Sequence, residues 1–300
     1  MQPNSNVVQL DGITTSGPVR GGEFTKGRGF SARQFRREDF DGLMDPLIMV
    51  DDYAMTEPTF GAHPHAGIAA ISVLFEDSKG LFYNHDSLDN HLALRAGDLY
   101  WLNAGKGAMH DESPLPHEAR IRGLQMFLKL PANASEAAPT AHHVRADDIP
   151  VLQYDGVRVR VIAGETHGLS GFCNDVVPAT VLDGQIATGA TFEYSARGSH
   201  AVWIYVVSGE AHLGIDGHSQ VIQSGESIAI HNHQSDQRLD ITGTRDSHVV
   251  IVESPISSET YVNHGPFALK DCSAIANAQA AAQAGEMGQV IKKAVTNLSI

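Results

Sequence analysis

Apolar residues along this chain recur in short runs, and several runs alternate apolar and polar positions with the period of a strand. In "VRVRVIAG", Val157, Val159 and Val161 fall on every second position, which gives a strand one apolar face. Runs of the same kind in the first half are "PLIMVDDY", "IAAISVLF", "LFYNHDSL", "HLALRAGDLYWLN" and "IRGLQMFLKL". In the second half they are "ATFEYSA", "AVWIYVVSGEAHLGI", "HSQVIQSGESIAI" and "SHVVIVES". Glycine (29) and proline (13) punctuate these runs, and the pattern predicts an all-β protein. Helical character is concentrated near the end, in the alanine-rich "DCSAIANAQAAAQAG", with Gly285 where a helix would stop. That helix reads as a structural element packed on the strands.

The two halves repeat an order of elements. "ISVLFEDSKGLFYNHDSLDNHLALRAGDLYWLNAG" and "IYVVSGEAHLGIDGHSQVIQSGESIAIHN" both run strand, turn, strand, turn, strand, with "AGDLYWL" and "SGESIAI" in matching places. Such self-similarity predicts a duplicated domain. Two small barrels of the double-Greek-key type are a natural solution, because each closes its own sheet edges. The seam is expected in "LPANASEAAPTAHHVRADDIP", which gives domains at 1–133 and 149–300 with a linker at 134–148.

Composition narrows the function classes. The chain of 300 residues is 42% hydrophobic and 19% charged, an ordinary globular balance with enough apolar material for a core without staples. A net charge of −14 argues against nonspecific binding to nucleic acid or an anionic membrane. The one dense cationic run, "RGGEFTKGRGFSARQFRR", is followed at once by the acidic "EDFDGLMD", and reads as a solvated face or an internal pairing partner. Cys173 and Cys272 are too few and too distant for a disulfide framework or a thiolate zinc site, and fit a reducing compartment. No signal peptide is expected in "MQPNSNVVQLDG", and no apolar run reaches the ~18 residues of a membrane span. A cytoplasmic location is the expectation.

The chemistry lies in two short stretches. "FGAHPHAGIAAIS" carries His63 and His65, and "NAGKGAMHDESP" carries His110 and Glu112. Side chains two apart on a strand leave the same face, so each pair can point into a barrel while Asp111 points away. A lone His-x-His is common in ordinary proteins; a second pair at the same spacing makes this one a candidate metal site. Three imidazoles and a carboxylate leave open positions on an octahedral ion, and suit Fe(II), Mn(II), Co(II), Ni(II) or Cu(II). Neutral imidazole is required, so metal affinity is expected to fall below about pH 6. Other histidines are weaker candidates: "HNH" at 231–233 lacks a second pair nearby, and His85 and His91 flank a turn where they can line a cavity mouth. Of Tyr100 and Trp101, adjacent on one strand, one is expected in the core and the other toward a pocket. No nucleophile elbow, phosphate loop or dinucleotide fingerprint is present.

"DPLIMVDDY", "HPHAG", "AGDLYWLNAGKGAMHDESP" and "VNHGPFALKD" occur in that order, and the likeness runs from about Gly21 to Gly285. Together they resemble the successive signatures of the pirin family of bicupins. The resemblance implies two tandem cupin barrels (double-stranded β-helix, jelly-roll-like) with a C-terminal helix, and a metal in the N-terminal barrel alone. The family's ligands fall on His63, His65, His110 and Glu112. Iron is the metal usually associated with pirins, with Mn, Ni, Co, Cu or Zn as alternatives. Some bacterial pirins cleave flavonols such as quercetin with O₂, which makes an Fe(II) dioxygenase the leading expectation, with Glu112 also serving as general base. Mammalian pirin is a transcriptional coregulator with redox-sensitive iron, so the rival expectation is a non-enzymatic redox-sensing regulator that acts through a protein partner. Pirins typically continue from the His-Pro-His with Arg-Gly-Phe-Glu-Thr; here Ala66 stands for the arginine and Ala69 for the glutamate. Aligning the second half on the first puts Ser195, Arg197 and Arg238 at the positions of His63, His65 and His110. That barrel is therefore expected to lack a metal.

Overall fold

A computed structural model describes residues 7–10 and 12–293. Residues 1–6 of the segment read for a targeting signal, and 294–300 of the expected tail, lie outside the described residues. The chain is built mainly of antiparallel strands, with one substantial helix, Cys272–Gln283. Two compact units result. Among the described residues, one collects Glu23–Gln34, Val50–Ala146 and the stretch from Ser258 onward. The other collects the stretch up to Gly22, Phe35–Met49 and Asp147–Ser257.

Hydrogen bonding explains why the units take up segments from the opposite end of the chain. The early strand Ile13–Thr15 pairs with Glu226–Asn232, and so belongs with the later residues. The late hairpin Val262–His264/Phe267–Leu269 reaches back to the first unit, where the Ala268 amide donates to the Ala66 carbonyl at 3.0 Å.

In the first unit the strand Leu99–Asn103 lies between Ile68–Leu74 and Thr140–Val144, so both its edges are hydrogen-bonded, and all its residues are buried. The long strand Ala108–Lys129 is shared by two sheets. Its beginning pairs with His63–His65 and Lys79–Asp86, and its end with Ile68–Leu74. A register irregularity between Leu115 and Arg120 lets one strand serve both.

The chain must turn sharply after the His-Pro-His. Gly67 sits at φ 71°, and a Cβ there would stand 2.0 Å from the Ala268 carbonyl oxygen. The hairpin is thus pressed against the backbone next to His65. Behind it, Ala66, Phe267, Leu269, Ile275, Ala278 and Met287 form an apolar cluster that seats the helix. Asp271 caps that helix by accepting from the Ala274 amide at 2.8 Å, and the chain leaves it through Gly285 at φ 76°.

In the second unit Val157, Val159 and Val161 enter the core with Ile204, Ile228, Leu239 and Ile251, as their alternation predicts. The opposite face of that strand is not open to water. Arg160 is 2% exposed and donates to Asp183 at 3.0 Å, because the strand lies between Val151–Tyr154 and Thr180–Ile186. No helix among the described residues is long and apolar enough to cross a membrane.

Candidate metal centre

Strand pairing brings the two short motifs together. His110 lies opposite His63, and Ala108 opposite His65, so the three imidazoles emerge side by side from adjacent strands. His110 Nε2 is 2.9 Å from His65 Nε2 and 3.1 Å from His63 Nε2. His65 and His110 are each 1% exposed, and His63 is half-buried. Cis ligands on an octahedral ion with metal–nitrogen bonds of about 2.1 Å stand about 3 Å apart, which is the spacing found here.

Protons alone serve the cluster poorly. His63 Nδ1 faces the Gly61 carbonyl at 2.9 Å, a partner that demands N–H and leaves the Nε2 lone pair turned to the other rings. Burial, and then the neighbouring His63, hold the pKa of His65 well below the ordinary value. Burial does the same for His110, with His63 and His65 adding to it. The pKa of His63 is also lowered, first by burial. Neutral rings with converging lone pairs are the state a metal requires. Among the described residues these three are the one group of His, Cys, Asp or Glu whose ligand atoms gather within 4.8 Å of one another. The donor set is fit for one divalent ion.

Glu112 stands beside the triad. It is 8% exposed, with Oε2 4.0 Å from His110 Nε2 and Oε1 accepting from the Ser72 hydroxyl at 2.7 Å. Burial pushes its pKa up to about 7, partly opposed by the Ser72 hydrogen bond. Ser72 also lies 2.9 Å from Gln125 Oε1, yet its hydroxyl has a single proton. With that proton on Glu112, the Gln125 amide satisfies Ser72 by turning its NH₂ to the hydroxyl oxygen. Asp111 faces away from the triad, as expected, and pairs with Lys292 at 3.0 Å.

The remaining candidates separate clearly. Tyr100 is fully buried on the triad's side, its ring 6.4 Å from that of His110 and its hydroxyl donating to Asp86 at 2.7 Å. Trp101 takes the core side and donates to Asn103 at 2.9 Å. His85 and His91 are cross-strand partners with Nδ1 atoms 2.9 Å apart. In the other unit, burial lowers the pKa of His231 to about 4, and His233 meets Thr14 at 3.1 Å. Ala69 shares a strand face with Ile71 and Val73, opposite to Ser72, and Ala66 packs under the hairpin. Both departures from the family pattern therefore lie on faces turned from the triad.

Sequence reasoning did not single out Ser72, Tyr53, Asn84 or Gln125. The available signal was a lone hydroxyl in the apolar run "IAAISVLF" and an amide two residues before "DS".

The chain matches the Pirin family over residues 23–128. It is 29% identical to Pirin of Mus musculus over 237 residues, 78% of this chain and 80% of that protein. The chain is thus similar to pirins in sequence, most directly over its first barrel. Solved structures share its fold. Quercetin 2,3-dioxygenase from Acinetobacter baumannii superposes on this chain with a TM-score of 0.80 at 21% identity, covering 92% of this chain and 98% of the other. Bacterial pirin YhhW from Escherichia coli, in complex with nickel(II), does so with a TM-score of 0.61 at 18% identity, covering 82% and 100%. This chain therefore shares the cupin fold of those proteins.

Proposed function

We propose that this protein is a mononuclear metal-dependent dioxygenase, with Fe(II) as its metal and a flavonol such as quercetin as its substrate. The observation that carries the reading is the convergence of three neutral imidazole nitrogens at 2.9 and 3.1 Å beside a buried carboxyl group. The likeness in fold to a quercetin 2,3-dioxygenase and to a nickel-bound pirin supports it.

His63, His65 and His110 would hold the metal through Nε2, and Glu112 would complete the protein's donor set. The bound ion would supply a Lewis-acidic, redox-active centre for the substrate hydroxyl and O₂. The chain's own residues orient and protect the reactants. Ser72 fixes one oxygen of Glu112 and leaves Oε2, on the His110 side, to accept the proton of the substrate hydroxyl. Phe127 stands edge-on to His65 at 5.2 Å, and Phe60 lies 6.2 Å from His63. Both are partly exposed, and they give the mouth aromatic walls suited to a planar substrate.

The test is elemental analysis of protein purified without chelator or metal-affinity resin, with loss of quercetin under O₂ followed on the same sample. About one metal per chain is expected in the wild type, and neither metal nor turnover in His63→Ala or His110→Ala. Full metal retention in both variants would end the assignment. Metal without turnover would favour the redox regulator with a protein partner.

A further inference from the structure

Around Glu112 the first barrel buries polar atoms that the chain does not satisfy. Tyr53 Oη and both side-chain amide atoms of Asn84 lack hydrogen-bond partners. Asn84 is fully buried and is the cross-strand partner of Glu112. Its amide approaches the Tyr100 hydroxyl, which donates its proton to Asp86 and keeps an acceptor lone pair, but the contact falls short of hydrogen-bond geometry. Tyr53 is 3% exposed and packs against Phe82, which precedes Asn84 on the same strand face, with ring centroids 6.1 Å apart. Burial, and then the charge of Glu112, raise the Tyr53 pKa, so the phenol is a neutral donor.

Buried polar groups are nearly always paired, and leaving one unpaired is costly. Several unpaired groups gathered against one carboxyl are accounted for when a ligand completes them. We propose that Tyr53 and Asn84 form a hydrogen-bonding cradle that selects planar aromatic substrates bearing adjacent hydroxyl and carbonyl oxygens. The proposal rests on the dioxygenase reading above and names the residues that determine its substrate. Asn84 offers a donor and an acceptor, and Tyr53 offers a second donor. A hydroxyl beside a carbonyl presents the complementary set, and a site built this way rejects an analogue that lacks the hydroxyl. Phe60 and Phe127, beside His63 and His65, offer ring contacts to the apolar part of such a molecule.

The test uses the full chain in metal-free and Zn(II)-loaded forms, which bind without redox turnover. Fluorescence titrations with 3-hydroxyflavone and with flavone give the ratio of affinities, compared among wild type, Asn84→Leu and Tyr53→Phe. Wild type should prefer 3-hydroxyflavone, and each variant should lose about tenfold of that preference with zinc stoichiometry unchanged. Asn84→Leu should also raise the metal-free Tm by about 2–4 °C, because it removes an unpaired buried amide. An unchanged affinity ratio in both variants, or no preference in the wild type, overturns the cradle. Tyr53→Phe keeps the shape of the side chain, so the test survives if Asn84→Leu does not fold. Failure of the metal reading is recognised separately: wild type would take up no zinc, while the metal-free Tm and affinity ratio still judge the cradle.

Discussion

Replacing Glu112 by Gln in the metal-free protein should make the fold more stable at neutral pH and leave it unchanged in acid. Burial raises the carboxyl pKa from its ordinary value near 4.5 to about 7. Between those values the native state holds a proton that the unfolded chain has released. The stabilisation is therefore fully present below about pH 4.5 and is lost as pH rises through 7. Two and a half pH units at about 1.4 kcal/mol each amount to about 3 kcal/mol by pH 8. Glutamine keeps an oxygen for the Ser72 hydroxyl and cannot ionise, so Glu112→Gln should gain that amount, or about 6–12 °C in Tm. His63, His65 and His110 have lowered pKa values and act with the opposite sign, destabilising the fold as pH falls below 6.5. They are common to both proteins, so the difference between the two curves isolates Glu112. The assay is urea unfolding of both proteins in chelator from pH 4.5 to 8. A companion titration reads the same proton directly: zinc uptake at pH 6 should release about one proton from wild type and none from the variant. Parallel stability curves would refute the reasoning, because they would mean that Glu112 is ionised and compensated in the metal-free fold.

Two further outcomes follow from the same geometry. In Glu112→Gln, zinc affinity should fall only a few-fold from pH 7.5 to 6, since burial keeps the triad neutral, whereas three ordinary histidines would cost about 50-fold; competition with a chromophoric chelator across that range decides between them. Gly67→Ala should lower stability by at least about 3 kcal/mol, because it combines a positive φ with a backbone clash; a loss under about 1 kcal/mol by chemical denaturation would show that the hairpin yields.

The strand period carried the architecture and the metal candidates, because both depend on local geometry. His63 with His65, and His110 with Glu112, needed only i, i+2 spacing to share a face, and the pairing of His110 with His63 then joined them. What spacing could not supply was everything set by long-range contact. The attachment of Phe267–Leu269 to Ala66 depends on a close backbone approach that Gly67 permits, and no local pattern encodes it. The pH expectation also shifts for this reason. An ordinary histidine pKa gave a loss of metal below about pH 6, but the burial that lowers all three pKa values is a property of the folded barrel. Arg160 makes the same point in the other unit. Alternation assigns it to the face opposite the core valines, yet strands on both sides bury it against Asp183.

The second unit presents different chemistry at the positions aligned with the first motif pairs. There Ser195, Arg197 and Arg238 line a cavity of about 590 Å³ with Glu193 and Tyr194. Their charges are already spent: Arg238 pairs with Glu193 at 2.6 Å and Asp240 at 2.7 Å, and Arg197 with Glu165 at 3.0 Å. Guanidinium has no lone pair to offer a cation and stays protonated at any relevant pH. In the first unit the converging groups are ring nitrogens that face one another, a carboxyl held at one oxygen, and the unpaired Tyr53 and Asn84. A folded chain seldom leaves such groups so incompletely matched unless something outside the chain completes them. On the reading proposed above, it is the convergence of these groups in the first barrel that places the histidines for a metal and Glu112 for an oxygen-bearing molecule.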